Sequence, residues 1–174
     1  YIYDVFSKKL TEVAPFTVDL LLPSGAENLN YVLYTDESPY KMQREWLDRL
    51  PFDIYSVNVH TGAKRLIGRS YRTAPKWSVN GKWAVMYDPI AQVWNKFDGA
   101  TGKVVNISDA IGYPMFMESY DKPAPAPAYG IAGWTADGNN VFLYDAYDWW
   151  KTDLTGERQP ECLTKGLSLI HISE

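Results

Sequence analysis

The sequence has little of what most active or metal-binding sites need. Its 174 residues contain one cysteine and two histidines. A single Cys162 cannot form an internal disulfide, and its place in a predicted closing strand indicates a buried, inert thiol. No second cysteine or histidine lies at metal-ligand spacing from it, so we expect no metal site, no cofactor and no cofactor-binding residue.

Long apolar runs and clustered basic residues are also missing. No stretch approaches the ~20 apolar residues that a membrane-spanning helix needs, so we expect no membrane span. The 17 basic residues are scattered among 21 acidic ones, and the formal net charge is −4. A nucleic-acid partner is therefore not expected, because phosphate binding requires a concentrated basic surface.

Hydrophobic residues and aromatic rings are abundant. They make up 46% and 15% of the chain, which excludes a disordered segment. Large flat side chains suit β-sheets that pack face to face. The composition therefore favours a globular all-β protein.

One pattern of turns and strands occurs at least twice. WSVNGKWAVMYD begins at Trp77, and a segment with the same order of aromatic residue, turn and apolar run begins at Trp134. Asn80-Gly81 and Asp137-Gly138 are typical of two-residue hairpin turns. Each copy predicts a four-stranded antiparallel meander.

Thr-Gly pairs give the period of this repeat. They begin at residues 61, 101 and 155, so the intervals are 40 and 54 residues. This is the length of a β-propeller blade, with an insertion in the last interval. We predict an all-β, partial β-propeller of about three and a half four-stranded antiparallel blades. The expected domain is 1–166, with blade segments at about 1–14, 16–69, 72–109 and 128–166.

Three segments do not fit the simple alternation of short strands and Gly-containing turns. Residues 37–50 are charged but contain Trp46 and Leu47, which fits either a short amphipathic helix or a long irregular hairpin inserted between two strands. Residues 110–129 carry four prolines and favour an extended surface connection or a substrate-facing loop. Residues 16–22 predict an inner strand buried on both faces.

Candidate catalytic groups were weighed and none was retained. Gly68-Arg69-Ser70 is half of a nucleophile elbow, and His60 directly precedes a Thr-Gly turn. The carboxylates of Asp145, Asp148 and Asp153 fit turn residues better than a glycosidase pair. Two further acids lie in the proline-rich segment without an assignable partner: Glu118 and Asp121. The sequence therefore predicts no catalytic residue.

The strings WSVNGKWAVMYD, YGIAGWTADGNNVFLYDAYDWWKTDLTGE and CLTKG carry a resemblance to a known family. They resemble the N-terminal β-propeller of the prolyl oligopeptidase family of serine peptidases, in the dipeptidyl-peptidase-like branch common in Bacteroidota. The resemblance covers about residues 31–166. It implies a propeller that gates and positions peptide substrates for a C-terminal α/β-hydrolase domain, in a periplasmic or secreted parent protein. The family's paired glutamates have no match here.

Two functions are therefore expected from different classes. The first is a non-catalytic propeller fragment of a serine oligopeptidase or dipeptidyl peptidase, with the hydrolase domain in cis and peptides as partners. The alternative is a stand-alone TolB-like propeller that binds a protein or a glycan. The string LSLIHISE at 167–174 resembles translated sequencing-adapter read-through, so we expect a non-native tail there. A truncated propeller is further expected to expose apolar blade faces and to aggregate.

Overall fold

A computed structural model describes residues 1–15, 18, 20–24, 30–47 and 49–165. The expected non-native tail at 167–174 lies outside these residues. The described part of the chain forms fourteen strands and one short 3₁₀ helix, Ser38–Gln43. The prediction of an all-β protein is therefore confirmed.

The strands form four separate antiparallel sheets, none of which is closed. The first is a hairpin of β1 (Ile2–Asp4) and β2 (Lys9–Thr11). The second contains β3 (Leu20–Pro23), β4 (Tyr31–Asp36), β5 (Phe52–Asn58) and β6 (Lys64–Tyr71). The third contains β7 (Lys76–Trp77), β8 (Trp83–Asp88), β9 (Val93–Asp98) and β10 (Lys103–Asn106). The fourth contains β11 (Ile131–Trp134), β12 (Asn140–Tyr144), β13 (Trp149–Asp153) and β14 (Glu161–Cys162).

Within each sheet the strands are paired in sequence order, as a meander requires. The third and fourth sheets also share their register at the first hairpin. Trp77 is paired with Ala84, and Trp134 is paired with Val141, seven residues further along in both cases. The prediction that the two tryptophans occupy equivalent positions is therefore confirmed.

Apolar side chains join each sheet to the next. In β8, Ala84 and Met86 point into a cluster shared with the second sheet, whereas Val85 and Tyr87 point into a cluster shared with the fourth. Successive residues of a strand face opposite sides of its sheet, so a strand covered on both faces needs a continuous apolar run. A third cluster joins the first hairpin region to the second sheet.

The predicted burial of segment 16–22 on both faces is wrong where the structure describes it. Leu20 is 41% exposed and Leu21 46% exposed, while Leu22 packs on the cluster between the second and third sheets. The reason is that β3 is an edge strand of its sheet. Apolar sequence alone does not reveal whether a neighbour covers the second face.

Candidate functional site

The two ends of the sheets differ in their connections. We call one the turn end; it carries the short connections 59–63, 78–82, 99–102, 135–139 and 154–160. We call the other the loop end; it carries 37–51, 72–75, 89–92, 107–130 and 145–148. Both long interruptions expected from the sequence lie at the loop end.

The insertion at 37–51 joins β4 to β5, as predicted, and contains the 3₁₀ helix. Proline at the start of the helix fixes φ without losing a needed N–H, and the Asp36 carboxylate accepts the N–H of Ser38 at 2.8 Å. None of the helical residues is buried, whereas Leu50 is. Of the two alternatives, a short helix is present, but it contributes no face to the core.

A buried carboxylate holds this insertion on the second sheet. Asp53 is 6% exposed, and one of its oxygens accepts hydrogen bonds from the Tyr40 hydroxyl at 2.5 Å and from the Ser70 N–H at 3.1 Å. Burial, followed by the hydrogen bond to Asp53, raises the pKa of the Tyr40 hydroxyl. Removing Asp53 would therefore leave two donors unpaired at once.

An irregularity at the end of β6 turns the chain toward the loop end. The pairing of β5 with β6 shifts between Phe52 and Ile54, and Ser70 has a φ of 57°. The Tyr71 ring lies over Gly68 so closely that a Cβ there would be 2.4 Å from the ring. Burial raises the pKa of Tyr71 to about 12. Arg72, the next residue, begins the connection to the third sheet.

The proline-rich connection is anchored at both ends and has no ladder partner between them. Ile111 and Met115 are buried in the cluster between the third and fourth sheets. An isolated bridge pairs Phe116 with Ala128, and the Tyr87 hydroxyl donates to the carbonyl of Ala126 at 3.4 Å. Residues 121–127 form neither helix nor strand, as the Pro-Ala alternation predicts.

These connections enclose a cleft of about 470 Å³. Its walls come from the insertion, from the link after β6, from the end of β8 and from the proline-rich connection. The described lining residues are aromatic, aliphatic, hydroxyl-bearing or cationic: Trp46, Leu47, Arg49, Arg72, Thr73, Tyr87, Pro89, Tyr120, Lys122, Pro123, Ala124, Pro125 and Pro127. None of them carries a carboxylate, so the described lining is net positive in a chain that is net negative.

Two side chains that were weighed as catalytic groups have structural contacts instead. His60 is exposed in the turn after β5, where its Nε2 lies 3.1 Å from the Asn30 side-chain oxygen. Ser70 lies at the β6 bulge, which is not a strand-to-helix elbow. His60 and Ser70 are far apart, because they lie at opposite ends of the second sheet.

The acidic residues near β13 make turns, as the sequence analysis expected. One oxygen of Asp145 accepts the N–H groups of Tyr147 and Asp148 at 2.7 and 2.6 Å. Although burial alone would raise the pKa of Asp153, hydrogen bonds from Thr155 and the following turn lower it overall. Asp148 accepts the hydroxyl of Thr164.

Cys162 lies in β14, as predicted, but is only half-buried, and its sulfur accepts the N–H of Lys165 at 3.3 Å. Glu118 and Asp121 lie in the proline-rich connection, and neither lines the cleft.

No group of three potential metal ligands occurs among the described residues. The described residues also include no helix with the length and apolarity to cross a bilayer.

Sequence reasoning missed the cleft residues Trp46, Arg49, Arg72 and Lys122. Each belongs to a separate polar stretch of the sequence, and Lys122 follows Trp46 by 76 positions. The sequence did contain one signal for this site. Both long connections follow strands of even number, β4 and β10, and in these antiparallel meanders all even-numbered strands end on the same side.

Neither the scan against protein-family models nor the search of curated proteins gave a match.

Proposed function

We propose that the sheets are blades of a β-propeller whose loop end binds peptide segments and positions them for a serine-peptidase hydrolase domain. The observation that carries this proposal is the cleft, which four separate connections build at one end of successive sheets. Binding sites formed by loops on a rigid sheet scaffold are a common arrangement.

The arrangement of the sheets supports the propeller part of the proposal. Each four-stranded sheet is a meander, and consecutive sheets share a cluster of buried side chains. The turn ends of neighbouring sheets also touch, since the Asn80 amide donates to the Asp137 carbonyl at 2.8 Å. Repeated meanders that pack in sequence order are the building plan of propeller blades.

The chemistry of the cleft fits positioning better than catalysis. Its described lining offers cations, aromatic rings and proline walls, with no histidine, cysteine or carboxylate to act as a general base. In the proposed arrangement the Ser-Asp-His triad belongs to the hydrolase domain, and this chain restricts and orients what reaches it. A periplasmic or secreted parent protein is part of the same proposal.

A stand-alone binding propeller is the second candidate, and one observation favours it. The Trp46 ring lines the cleft and is 82% exposed, so it is accessible to a ligand in this chain alone. A Gly-x-Ser-x-Gly motif downstream in the full reading frame supports the peptidase role. A reading frame without one supports the stand-alone module.

Peptide binding can be tested through the fluorescence of the chain. An N-acetylated, C-amidated peptide of four Ala-Pro-Gln repeats is titrated into the 174-residue protein and into the Trp46→Ala variant. We expect saturable binding that the variant loses. Met42→Ala is the matched control, because Met42 is 91% exposed on the same insertion and does not line the cleft. Equal binding by all three proteins would contradict the proposal.

A further inference from the structure

The cleft also contains a charge pattern that selects among peptides. Three of its described lining residues are cationic and come from three different connections: Arg49, Arg72 and Lys122. No described carboxylate lies within ion-pair distance of any of them, whereas the two ion pairs of the described residues are elsewhere. Scattered cations in the sequence are thus brought together on one concave surface.

We propose that the cleft prefers acidic peptide segments, whose side-chain carboxylates are bound by Arg49, Arg72 and Lys122. This inference rests on the proposed peptide-binding function and adds its selectivity. Guanidinium groups match carboxylates by paired N–H donors, and charge-assisted hydrogen bonds of this kind are stronger than neutral ones.

The remaining lining favours a peptide over an anionic oligosaccharide. Recognition of sugar hydroxyls uses side chains that both donate and accept, such as amides, or carboxylates that accept. The described lining has neither Asn, Gln, Asp nor Glu. Its groups that both donate and accept are the hydroxyls of Thr73, Tyr87 and Tyr120, and that of Tyr87 already donates to the Ala126 carbonyl. Pro123 and Pro125 have no N–H, so their backbone offers only carbonyl acceptors, which suit the N–H groups of a peptide. The carbonyl of Pro127 already accepts the N–H of Met117 at 2.9 Å.

The test compares two peptides that differ only in charge. One carries four Ala-Pro-Glu repeats and the other four Ala-Pro-Gln repeats, both N-acetylated and C-amidated so that terminal charges are absent. Two or three partly exposed charge pairs are worth about 1–1.5 kcal/mol, so we expect the acidic peptide to bind on the order of tenfold tighter at low ionic strength. Added salt should reduce that ratio, since the Debye length is about 8 Å at physiological ionic strength.

Two charge-matched double variants locate the effect. Arg49→Gln with Arg72→Gln should remove most of the preference for the acidic peptide. Lys76→Gln with Lys103→Gln removes the same charge from exposed positions in β7 and β10 that do not line the cleft, and should keep the preference. Circular-dichroism melts of both variants check that each is folded.

The outcomes separate this inference from the proposed function. Equal affinity for both peptides in the unaltered protein overturns the charge preference but leaves peptide binding in place. An undiminished preference in the cleft variant overturns the assignment of the cations. If neither peptide binds, the proposed function fails as well. Binding of oligogalacturonate, lost in the cleft variant, while both peptides fail would replace the peptide by an anionic glycan.

Discussion

The turn end and the loop end of the same sheets are built by different physical rules. At the turn end, five glycines with φ between 65° and 86° close the short connections. At the loop end, 72–75, 89–92 and 145–148 are also short, but 37–51 and 107–130 are long and contain six of the chain's prolines. The short turns recur from sheet to sheet, whereas the two long connections have no counterpart of similar length in the other described sheets.

Two turns show how closely the turn end repeats. Asn80 accepts hydrogen bonds from the Ser78 hydroxyl and the Lys82 N–H, at 2.7 and 3.0 Å. Asp137 makes the equivalent pair with Thr135 and Asn139, at 2.5 and 3.0 Å. The hydrogen bond from Thr135 is the main cause of the lowered pKa of Asp137. In each turn one side-chain oxygen accepts two donors of the same turn, which is why short sequences suffice to specify the loop conformation.

The two long connections at the loop end depend instead on single contacts to residues elsewhere in the chain. Tyr40 reaches Asp53, and the Tyr87 hydroxyl reaches the carbonyl of Ala126. Such contacts leave space between the connections, and that space is the cleft. The comparison indicates that the repeated turns provide the scaffold and that the unrepeated connections carry binding.

The largest stability effect is expected where two turns interlock. A Cβ on Gly138 would lie 2.7 Å from the Asn80 side chain and 2.9 Å from its backbone nitrogen, in a residue with φ of 68°. Gly138→Ala should therefore cost about 3 kcal/mol, from the left-handed backbone and from overpacking. Gly156→Ala is the matched control: its φ is 86°, but nothing lies within 4 Å. It should cost only about 1 kcal/mol. Equal losses in urea unfolding would show that the turns do not interlock.

The second effect concerns alkaline pH and affects the loop end. Burial raises the pKa of Tyr71 and Tyr87 to about 12, against 10.0 for an ordinary tyrosine. A raised folded-state pKa stabilises the fold below pH 10, and this contribution is lost as the pH rises toward 12. We expect each tyrosine to account for a loss of about 2–3 kcal/mol over that range.

Substitution separates this loss from other alkaline effects. Tyr87→Phe should remove its share of the pH dependence, whereas Tyr3→Phe, at a position 56% exposed, should not. Burial lowers the pKa of Lys96, so this lysine makes the fold more stable as the pH rises toward 10.5, opposite to the effect of the two tyrosines. The variants are therefore compared with the unaltered protein at each pH. Identical pH profiles for the three proteins would contradict the prediction.

A smaller effect is expected from the contact that holds the insertion. Tyr40→Phe removes the hydroxyl that donates to Asp53 and should cost about 1 kcal/mol. Hydrogen exchange should speed up in residues 37–47 while the turn end stays protected. Tyr55→Phe is a suitable control, because that ring stacks on Tyr34 within the same sheet and away from the insertion. Faster exchange at both ends would show that the two ends are not independent.

The smallest stability change is expected at the edge of the cleft. Trp46 is 82% exposed, so Trp46→Ala should change the free energy of unfolding by less than about 0.5 kcal/mol. The same variant should lose peptide binding. A large loss of stability would mean that the tryptophan belongs to the scaffold, and the separation of scaffold from binding surface would be wrong.

The elements that sequence reasoning anticipated are those fixed by local chemistry. All five glycines of the expected turns have positive φ. The expected two-residue hairpins were nevertheless wrong: Ser78 N–H is bonded to the carbonyl of Trp83 at 2.7 Å, so four residues form the loop. The hydroxyl and amide side chains at 78 and 80 make the longer loop stable, and their contribution is not visible in the Asn-Gly pair alone.

By itself, the sequence determined the all-β class, the antiparallel meanders and the equivalence of Trp77 and Trp134, because strand periodicity and turn chemistry act over a few residues. The tertiary structure alone decided which apolar faces are covered, as at Leu20 and Leu21, and which distant side chains meet in the cleft. Arg49, Arg72 and Lys122 come together only because antiparallel pairing returns the chain to the same end of each sheet. Contacts of that kind depend on how sheets pack, and no local pattern encodes them.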